Sequence, residues 1–193
     1  MKHLCTLALT AAAMLCGCTG SAAPQPVPVE KGKVAVIFYS WSGNTRFAAE
    51  TIVRTTGAEL FELKPVTPYS TDFRTCCSEA KPECMEKKPR PLMPVTGLDL
   101  AKYDVIFIGS PNWWSTLAPP VHAFVRDHAA DFKGKTLCLF VTHGTGGIAN
   151  LARDFTALLP GVKLLPPGAF PGATVKSSAP EIERFVRSRI TVK

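Results

Sequence analysis

Several motifs that define large enzyme classes are missing from this sequence. The polar loop at residues 40–45 contains neither the Gly-x4-Gly-Lys-Ser/Thr pattern of Walker-type sites nor the Gly-x-Gly-x-x-Gly turn of dinucleotide sites. No Gly-x-Ser-x-Gly nucleophile elbow is present, which argues against a hydrolase. No acidic cluster follows the apolar run at 34–39, which argues against a phosphate-accepting receiver domain. The chemistry must therefore come from other residues.

Other absences limit the membrane, metal and nucleic-acid partners. No apolar run reaches the roughly 20 residues that a membrane-spanning helix needs. The basic residues are scattered and are not interleaved with aromatic residues, which argues against nucleic acid. Three thiols at 76, 77 and 84 have no histidine nearby to complete a tetrahedral zinc site. What remains is a chain of 193 residues with 46% apolar content, which is typical of one globular domain.

The start of the chain has the pattern of an export signal. A basic start precedes an apolar stretch, and Leu15-Cys16-Gly17-Cys18 resembles the bacterial lipobox. The resemblance implies cleavage of residues 1–17 and lipidation of Cys18. The protein would then be anchored on the periplasmic side of a cell membrane, the outer membrane in a Gram-negative cell. An ordinary secretory signal cut after Ala22 or Ala23 is the alternative, and it also exports the protein.

A proline-rich stretch separates this signal from the rest of the chain. Residues 18–32 contain Pro24, Pro26 and Pro28 among small and polar residues, a composition typical of an extended tether. The folded domain is predicted over 33–193. Removal of residues 1–17 takes away only Lys2, so the mature charge is 21 − 15 = +6. A basic domain favours a partner with an acidic surface, or an anionic membrane.

The segment from Lys33 to Thr51 predicts a strand, a short loop and a helix. Val34 to Tyr39 is continuously apolar, as expected of a strand covered on both faces. The helix that follows begins in a loop of hydroxyls, an amide and a glycine, so unpaired N–H groups and the helix dipole favour a phosphate. This loop is Ser40, Trp41, Ser42, Gly43, Asn44 and Thr45. A helix start that is merely capped by these side chains is the alternative.

Two further loops follow apolar strands. The run 103–109 precedes Ser110, Pro111, Asn112, Trp113 and Trp114, and the run 135–141 precedes Thr142, His143, Gly144, Thr145, Gly146 and Gly147. Adjacent tryptophans favour a flat apolar partner, although we expect one of them to pack in the core. Glycines at a strand end allow close approach of a ligand. His143 could donate a proton to a bound ligand, or simply bind a backbone carbonyl.

The order of the elements predicts a doubly wound α/β fold. Five strands alternate with helices, and the strands at 58–63 and 162–165 are interrupted by charges, as edge strands often are. In a parallel sheet of order 2-1-3-4-5, flanked by helices on both faces as an α/β/α sandwich, these two are the edges. The loops after the first and third strands then meet in one crevice.

These loops resemble those of the flavodoxin family. Phe-Tyr-Ser-Trp-Ser-Gly-Asn-Thr is similar to the phosphate loop, Gly-x-Pro-Asn-Trp-Trp to the second FMN loop, and Thr-His-Gly-Thr-Gly-Gly to the third loop of flavodoxin-like quinone reductases. The resemblance implies FMN as the cofactor, the three loops as its site, and an electron-transfer function, with quinones or other small acceptors as candidate substrates. The third loop lacks the stacking tyrosine of many flavodoxins, and the basic charge departs from the acidic norm. A cofactor-free flavodoxin-fold lipoprotein that acts as a binding or scaffolding module is the alternative.

Residues 64–99 are predicted to be an irregular insertion. Only 72–80 favours a helical turn or two, and long-chain flavodoxin relatives resemble this segment in the pairs Pro68-Tyr69 and Arg90-Pro91. In an oxidising compartment Cys76, Cys77 and Cys84 could form a structural disulfide, remain free thiols or act as a redox relay.

Overall fold

The computed structural model describes residues 25–193, so the predicted signal at 1–17 and the lipidation site Cys18 lie outside the described residues. Within this range the chain forms strands and α-helices in alternation. The strands are β1 (Val27–Val29), β2 (Val34–Phe38), β3 (Glu59–Glu62), β4 (Val105–Trp113), β5 (Thr116–Leu117), β6 (Thr136–His143), β7 (Lys163–Pro171) and β8 (Ile190–Val192). The helices are α1 (Asn44–Thr56), α2 (Phe73–Glu86), α3 (Pro119–Asp127), α4 (Leu151–Leu158) and α5 (Ala179–Arg187).

The central sheet has the predicted topology. Its order is β3-β2-β4-β6-β7 and every neighbouring pair on this path is parallel, which is the order 2-1-3-4-5 in the numbering of the five predicted strands. The predicted fold class is confirmed. The sheet has six strands, because β5 folds back and pairs antiparallel with the end of β4.

Burial along the strands explains this order. All five residues of β2 are buried, as are the first six of β4 and the first seven of β6. Successive side chains point to opposite faces, so each central strand feeds two cores. One core lies under α2, α3 and α4, and the other lies under α1 and α5. Each large aliphatic side chain buried in this way contributes roughly 1.5–3 kcal/mol.

The outer strands are β3 and β7, as the interrupting charges predicted. However, β7 is longer than the predicted 162–165. Pro166 and Pro167 fall where the register shifts, since Cys138 pairs with Leu165 and Phe140 pairs with Gly168. Proline is tolerated at a bulge on an edge strand, where no ladder hydrogen bond is lost.

The two ends of the described chain meet in a separate small sheet. Strand β1 pairs in parallel with β8, and Val29 is buried against the core under α1 and α5. The predicted tether at 18–32 therefore includes a stretch, Val27–Val29, that is docked on the domain. Helix α5 ends at Arg187, and Ile190 starts β8. Ser178, the residue before α5, makes no side-chain cap.

Helix α2 corrects the prediction for residues 64–99. It runs for 14 residues and continues past Pro82, where a helix turn or two had been expected to end at 80. Asp72 caps it by accepting a hydrogen bond from the N–H of Thr75 at 2.9 Å. Ala80 and Cys84 are buried against the core on either side of Pro82, so packing outweighs the lost backbone hydrogen bond.

The cysteines of the described chain, Cys76, Cys77, Cys84 and Cys138, are free thiols. Cys76 and Cys84 are separated by eight residues of α2, or about 12 Å of helix rise. A disulfide needs Cα atoms within about 7 Å, so the helix keeps these two apart. Burial raises the pKa of Cys76 to about 11 and that of Cys84 to about 12, so both are protonated at neutral pH. A thiolate relay through them is disfavoured.

Candidate functional site

The three predicted loops meet at the carboxyl ends of the strands. The hydroxyls of Thr45 and Thr142 lie 2.7 Å apart and join the first loop to the third. The amide of Asn112 donates to the carbonyl of Gly147 at 2.9 Å and joins the second loop to the third. Parallel strands bring their carboxyl ends to one edge of a sheet, so this convergence follows from the topology. The loops form one crevice.

The first loop is built as an anion site. Helix α1 begins at Asn44, and the residue before it, Gly43, has φ 84°, a left-handed conformation that glycine adopts without strain. The N-cap makes no side-chain hydrogen bond. The first N–H groups of the helix are therefore available to a ligand, with the positive end of the helix dipole behind them.

The hydroxyl of Ser40 supplies a second observation at this loop. Its oxygen is buried and has no hydrogen-bond partner in the described chain. Buried polar groups are nearly always paired. An unpaired buried hydroxyl close to the start of α1 therefore indicates a position where a ligand can accept its hydrogen bond. The neighbouring Trp41 is held by a hydrogen bond of 2.9 Å from its indole N–H to the carbonyl of Ser70. A cleft of about 570 Å³ runs from 39–42 to 62–69 beside it.

A loop that the sequence analysis did not single out completes the crevice. The N–H of Gly172 donates to the carbonyl of His143 at 2.7 Å. A Cβ at position 172 would lie 2.6 Å from the Asn44 amide nitrogen, so a larger residue there would displace the Asn44 side chain. The pair Pro171-Gly172 could have indicated a loop at the end of the last strand of the sheet. It was missed because the prediction ended that strand at 165.

The second loop is a tight hairpin. Asn112 and Trp113 of β4 pair with Leu117 and Thr116 of β5, and Trp114 and Ser115 form the turn with φ 53° and 62°. Two consecutive non-glycine residues in this region are unusual and add backbone strain. Such strain persists where the surrounding structure holds the turn, and it is concentrated at functional sites.

The hairpin separates the roles of the two tryptophans, which the sequence left open. Trp113 packs against the core, with its ring edge-to-face against Tyr39 at 5.5 Å and Tyr69 at 4.9 Å between centroids. Trp114 is 44% exposed, and the ammonium of Lys81 lies 5.0 Å from its ring centroid. Trp113 is the core residue, and Trp114 is the ring that remains free to stack.

Side chains from α2 and α4 hold this hairpin in place. The carboxylate of Asp154 accepts a hydrogen bond from the hydroxyl of Thr116, and the ammonium of Lys87 lies 3.1 Å from the same carboxylate oxygen. Lys87 also donates to Thr116 at 2.5 Å. Burial tends to raise the pKa of Asp154, but the hydrogen bonds from Thr116 and Lys87 outweigh it and lower the pKa. The ionised carboxylate therefore anchors β5.

A network of charged and aromatic groups supports the other side of Trp113. Arg90 lies over the ring of Tyr69, 3.6 Å from the centroid, and its Nη2 and Nε both contact Oε1 of Glu83, at 2.7 and 2.8 Å. The hydroxyl of Tyr69 donates to Glu83 at 2.6 Å. Burial, followed by this hydrogen bond, raises the pKa of Tyr69 far above its usual value. The pairs Pro68-Tyr69 and Arg90-Pro91 thus meet in space.

Arg90→Met should destabilise the protein by about 2 kcal/mol, because the Arg90 and Glu83 side chains are only 16% and 15% exposed. Removal of one partner leaves a largely buried carboxylate without its cation. Urea unfolding monitored by circular dichroism measures the change. Lys88→Met is the matched control, because Lys88 is 80% exposed in its pair with Glu86. Equal stability of the two variants would contradict this account.

Two histidines have a buried ring nitrogen without a partner in the described chain. His143 contributes its carbonyl to Gly172, while its ring nitrogen Nδ1 is buried and unpaired. The ring is therefore not satisfied by a backbone carbonyl through this nitrogen. His122 is buried in α3, and its Nδ1 is also unpaired. Burial lowers the pKa of His122, so its ring is neutral at pH 7.

The described residues give no alternative site of the metal or membrane type. Within 25–193 no group of three or more His, Cys, Asp or Glu side chains is arranged to hold a metal ion. No helix in this range is long and apolar enough to cross a membrane.

Solved structures share this architecture. Candidate flavoproteins from Bacteroides uniformis ATCC 8492 and Bacteroides eggerthii DSM 20697 are 28% and 26% identical, with TM-scores of 0.64 and 0.63. These matches cover 76% and 78% of this chain, and 96% and 97% of the other chains. A flavoprotein in complex with FMN from Lactobacillus acidophilus NCFM is 21% identical with a TM-score of 0.63, and the match covers 78% of this chain and 97% of that one. It supports the fold.

A family model described as Flavodoxin matches residues 33–185, which is most of the chain. No curated protein matches the chain. The matched range contains all three predicted loops and Gly172. The fit of the crevice to a phosphate and a flat ring agrees with the cofactor of this family, and the prediction of FMN as that cofactor is confirmed at the level of the family. The chain belongs to the flavodoxin family.

Proposed function

We propose that this protein binds FMN in the crevice and transfers electrons. The observation that carries the proposal is the buried, unpaired hydroxyl of Ser40 beside the uncapped start of α1. A phosphate monoester would accept from this hydroxyl and from the N–H groups of Asn44 and Thr45. The positive end of the helix dipole favours the negative charge of the phosphate. The loop can therefore bind it without a lysine or arginine, and the first such residue after the loop is Arg46.

Bound FMN supplies the redox chemistry, and the chain sets its position and surroundings. Trp114 would stack on the ring from the hairpin, which Asp154 and Lys87 fix through Thr116. The Nδ1 atom of His143 has no hydrogen-bond partner in the described chain. We therefore assign His143 the role of holding or donating a proton at the FMN ring. A two-electron reductase of quinones or other small acceptors needs such a proton, and a one-electron carrier does not.

The test of the cofactor is a visible spectrum. Protein purified after expression of the wild-type gene or of the Cys18→Ala variant should be yellow, with a flavin absorbance that survives dialysis. Colourless protein that FMN does not reconstitute would contradict the proposal and favour a scaffolding module. His143→Gln removes the proposed proton donor. The reduction of two-electron acceptors should become slower, and the rate for one-electron acceptors should stay unchanged.

We also propose that the protein is exported and anchored through lipid on Cys18. The support is the lipobox-like sequence at 15–18 after an apolar stretch, followed by the proline-rich segment. Two or more acyl chains give stable anchoring, and a tether lets the domain stand off the surface.

Cys18→Ala should release the protein from membranes into the soluble periplasmic fraction, because the acyl chains on Cys18 are the proposed anchor. Fractionation followed by immunoblotting measures this. Cys16→Ala is the matched control, since it changes the neighbouring cysteine and leaves the modified residue intact. Retention of the Cys18→Ala protein with lipid would mean that another anchor exists.

A further inference from the structure

The end of the domain at which the chain enters is opposite the FMN crevice. Strand β1 ends at Val29, and a short turn leads into the amino end of β2 at Val34. The crevice lies at the carboxyl ends of β2, β4 and β6. Strand β6 has eight residues, so about 25 Å of strand separates the two ends.

The contacts of β1 fix this geometry. The N–H of Val27 donates to the carbonyl of Arg189 at 2.9 Å, and the N–H of Lys193 donates to the carbonyl of Val29 at 3.0 Å. A groove beside β8 is lined by Thr55 and Thr56, the last residues of α1, which starts at the crevice and ends far from it. The entry point is therefore a fixed position on the folded domain.

The chain between the proposed anchor and this position is short. From Cys18 to Val27 there are 27 − 18 = 9 residue steps, and a fully extended chain of that length reaches about 30 Å. To bring the crevice to a bilayer, these residues would have to run back along the whole height of the domain at nearly full extension. The resting orientation therefore places the entry end toward the lipid.

The entry end also carries exposed positive charge. Lys31, Lys33, Arg54, Arg187 and Lys193 are exposed there. The facing acidic groups are Glu30, Glu59, Asp104 and Glu183, and of these Glu183 lies 3.9 Å from Arg187 in an exposed pair. Anionic headgroups attract basic residues close to the surface, and each Lys or Arg there strengthens binding by about fivefold.

Resting on the lipid anchor of the proposed function, we infer that the basic entry end lies on an anionic lipid surface and the FMN crevice faces away from it. The electron partner that meets the crevice is then a water-soluble molecule, and a quinone confined to the bilayer is out of its reach.

The tryptophans of the chain provide the test, because all three, Trp41, Trp113 and Trp114, lie at the crevice end. Full-length acylated protein is reconstituted in vesicles of phosphatidylcholine and phosphatidylglycerol whose acyl chains carry bromine, a short-range quencher of tryptophan. Native emission should be unchanged by the brominated lipid. In Thr191→Trp, which adds an exposed tryptophan in β8, only the added emission should be lost. Quenching of the native tryptophans as strong as that of the added one would overturn the inference.

Charge reversal tests the lipid contact separately. Arg54→Glu with Arg187→Glu should weaken binding to anionic vesicles at low salt by more than about twentyfold. Arg74→Glu with Lys88→Glu, the same charge change elsewhere on the surface, should change it much less; equal losses would overturn the inference. Flotation of the wild-type protein on neutral vesicles reports the lipid anchor alone, so a protein that does not float with them counts against the anchor. The double variant Arg54→Glu with Arg187→Glu still tests the basic end separately, on anionic vesicles.

Discussion

Asn44→Asp should weaken FMN binding by more than about a hundredfold. Position 44 is the first residue of α1, where the free N–H groups meet the proposed phosphate. Two unit charges about 4 Å apart repel by about 4 kcal/mol at an effective dielectric constant of 20, and 1.4 kcal/mol corresponds to a factor of ten in affinity. Fluorescence titration of apoprotein with FMN measures the effect.

Riboflavin gives this prediction a sharp control, because it has the ring and lacks the phosphate. Asn44→Asp should leave riboflavin affinity within a few-fold of the wild type. It should also slightly stabilise the apoprotein, since an acidic residue in the first turn of a helix complements the dipole. Asn150→Asp makes the same change at the residue before α4, which is exposed and outside the three loops, and should change FMN binding much less. Unchanged FMN affinity in Asn44→Asp would mean that the phosphate loop is misassigned.

The two tryptophans should give opposite results on mutation to alanine. Trp113→Ala should lower the free energy of unfolding by about 3 kcal/mol, because the ring packs against Tyr39, Tyr69 and the core. Trp114→Ala should change stability little, since its ring is exposed and its backbone is strained at φ 53°. It should weaken FMN binding by about 2 kcal/mol, or about thirtyfold, through the loss of ring stacking.

Chemical denaturation of the apoproteins and FMN titration of each variant separate these outcomes. Trp114→Phe is the matched control, because it keeps an aromatic ring on the hairpin and should recover most of the affinity. A Trp114→Ala protein that binds FMN normally would assign the ring contact to another residue of the crevice.

The sheet and its crevice could be predicted because they depend on patterns within single segments. Buried parallel strands require unbroken apolar runs, and 34–39, 103–109 and 135–141 have them. Glu59 and Lys163 interrupt the apolar runs of the two outer strands, and this predicted that those strands lie at the edges of the sheet. Helix α1 was predicted to begin in the loop at 40–45, and it begins at Asn44.

The features that were missed depend on contacts between distant segments. Helix α2 continues past Pro82 because Cys84 is buried against the core, and no local pattern shows that burial. The choice between Trp113 and Trp114 depends on a hairpin that Thr116 and Asp154 hold from outside the loop. The close contact between Gly172 and the side chain of Asn44, 128 positions earlier, exists only in the folded chain.

The pairing of β1 with β8 has a kinetic consequence. Val27 and Ile190 are partners across almost the whole described chain. The two strands can pair only after the rest of the domain has brought the chain ends together, and three residue pairs add little stability. This ribbon should therefore form last during refolding. It should also be the first part of the native state to open, so its amide protons should exchange well before those of β4 and β6.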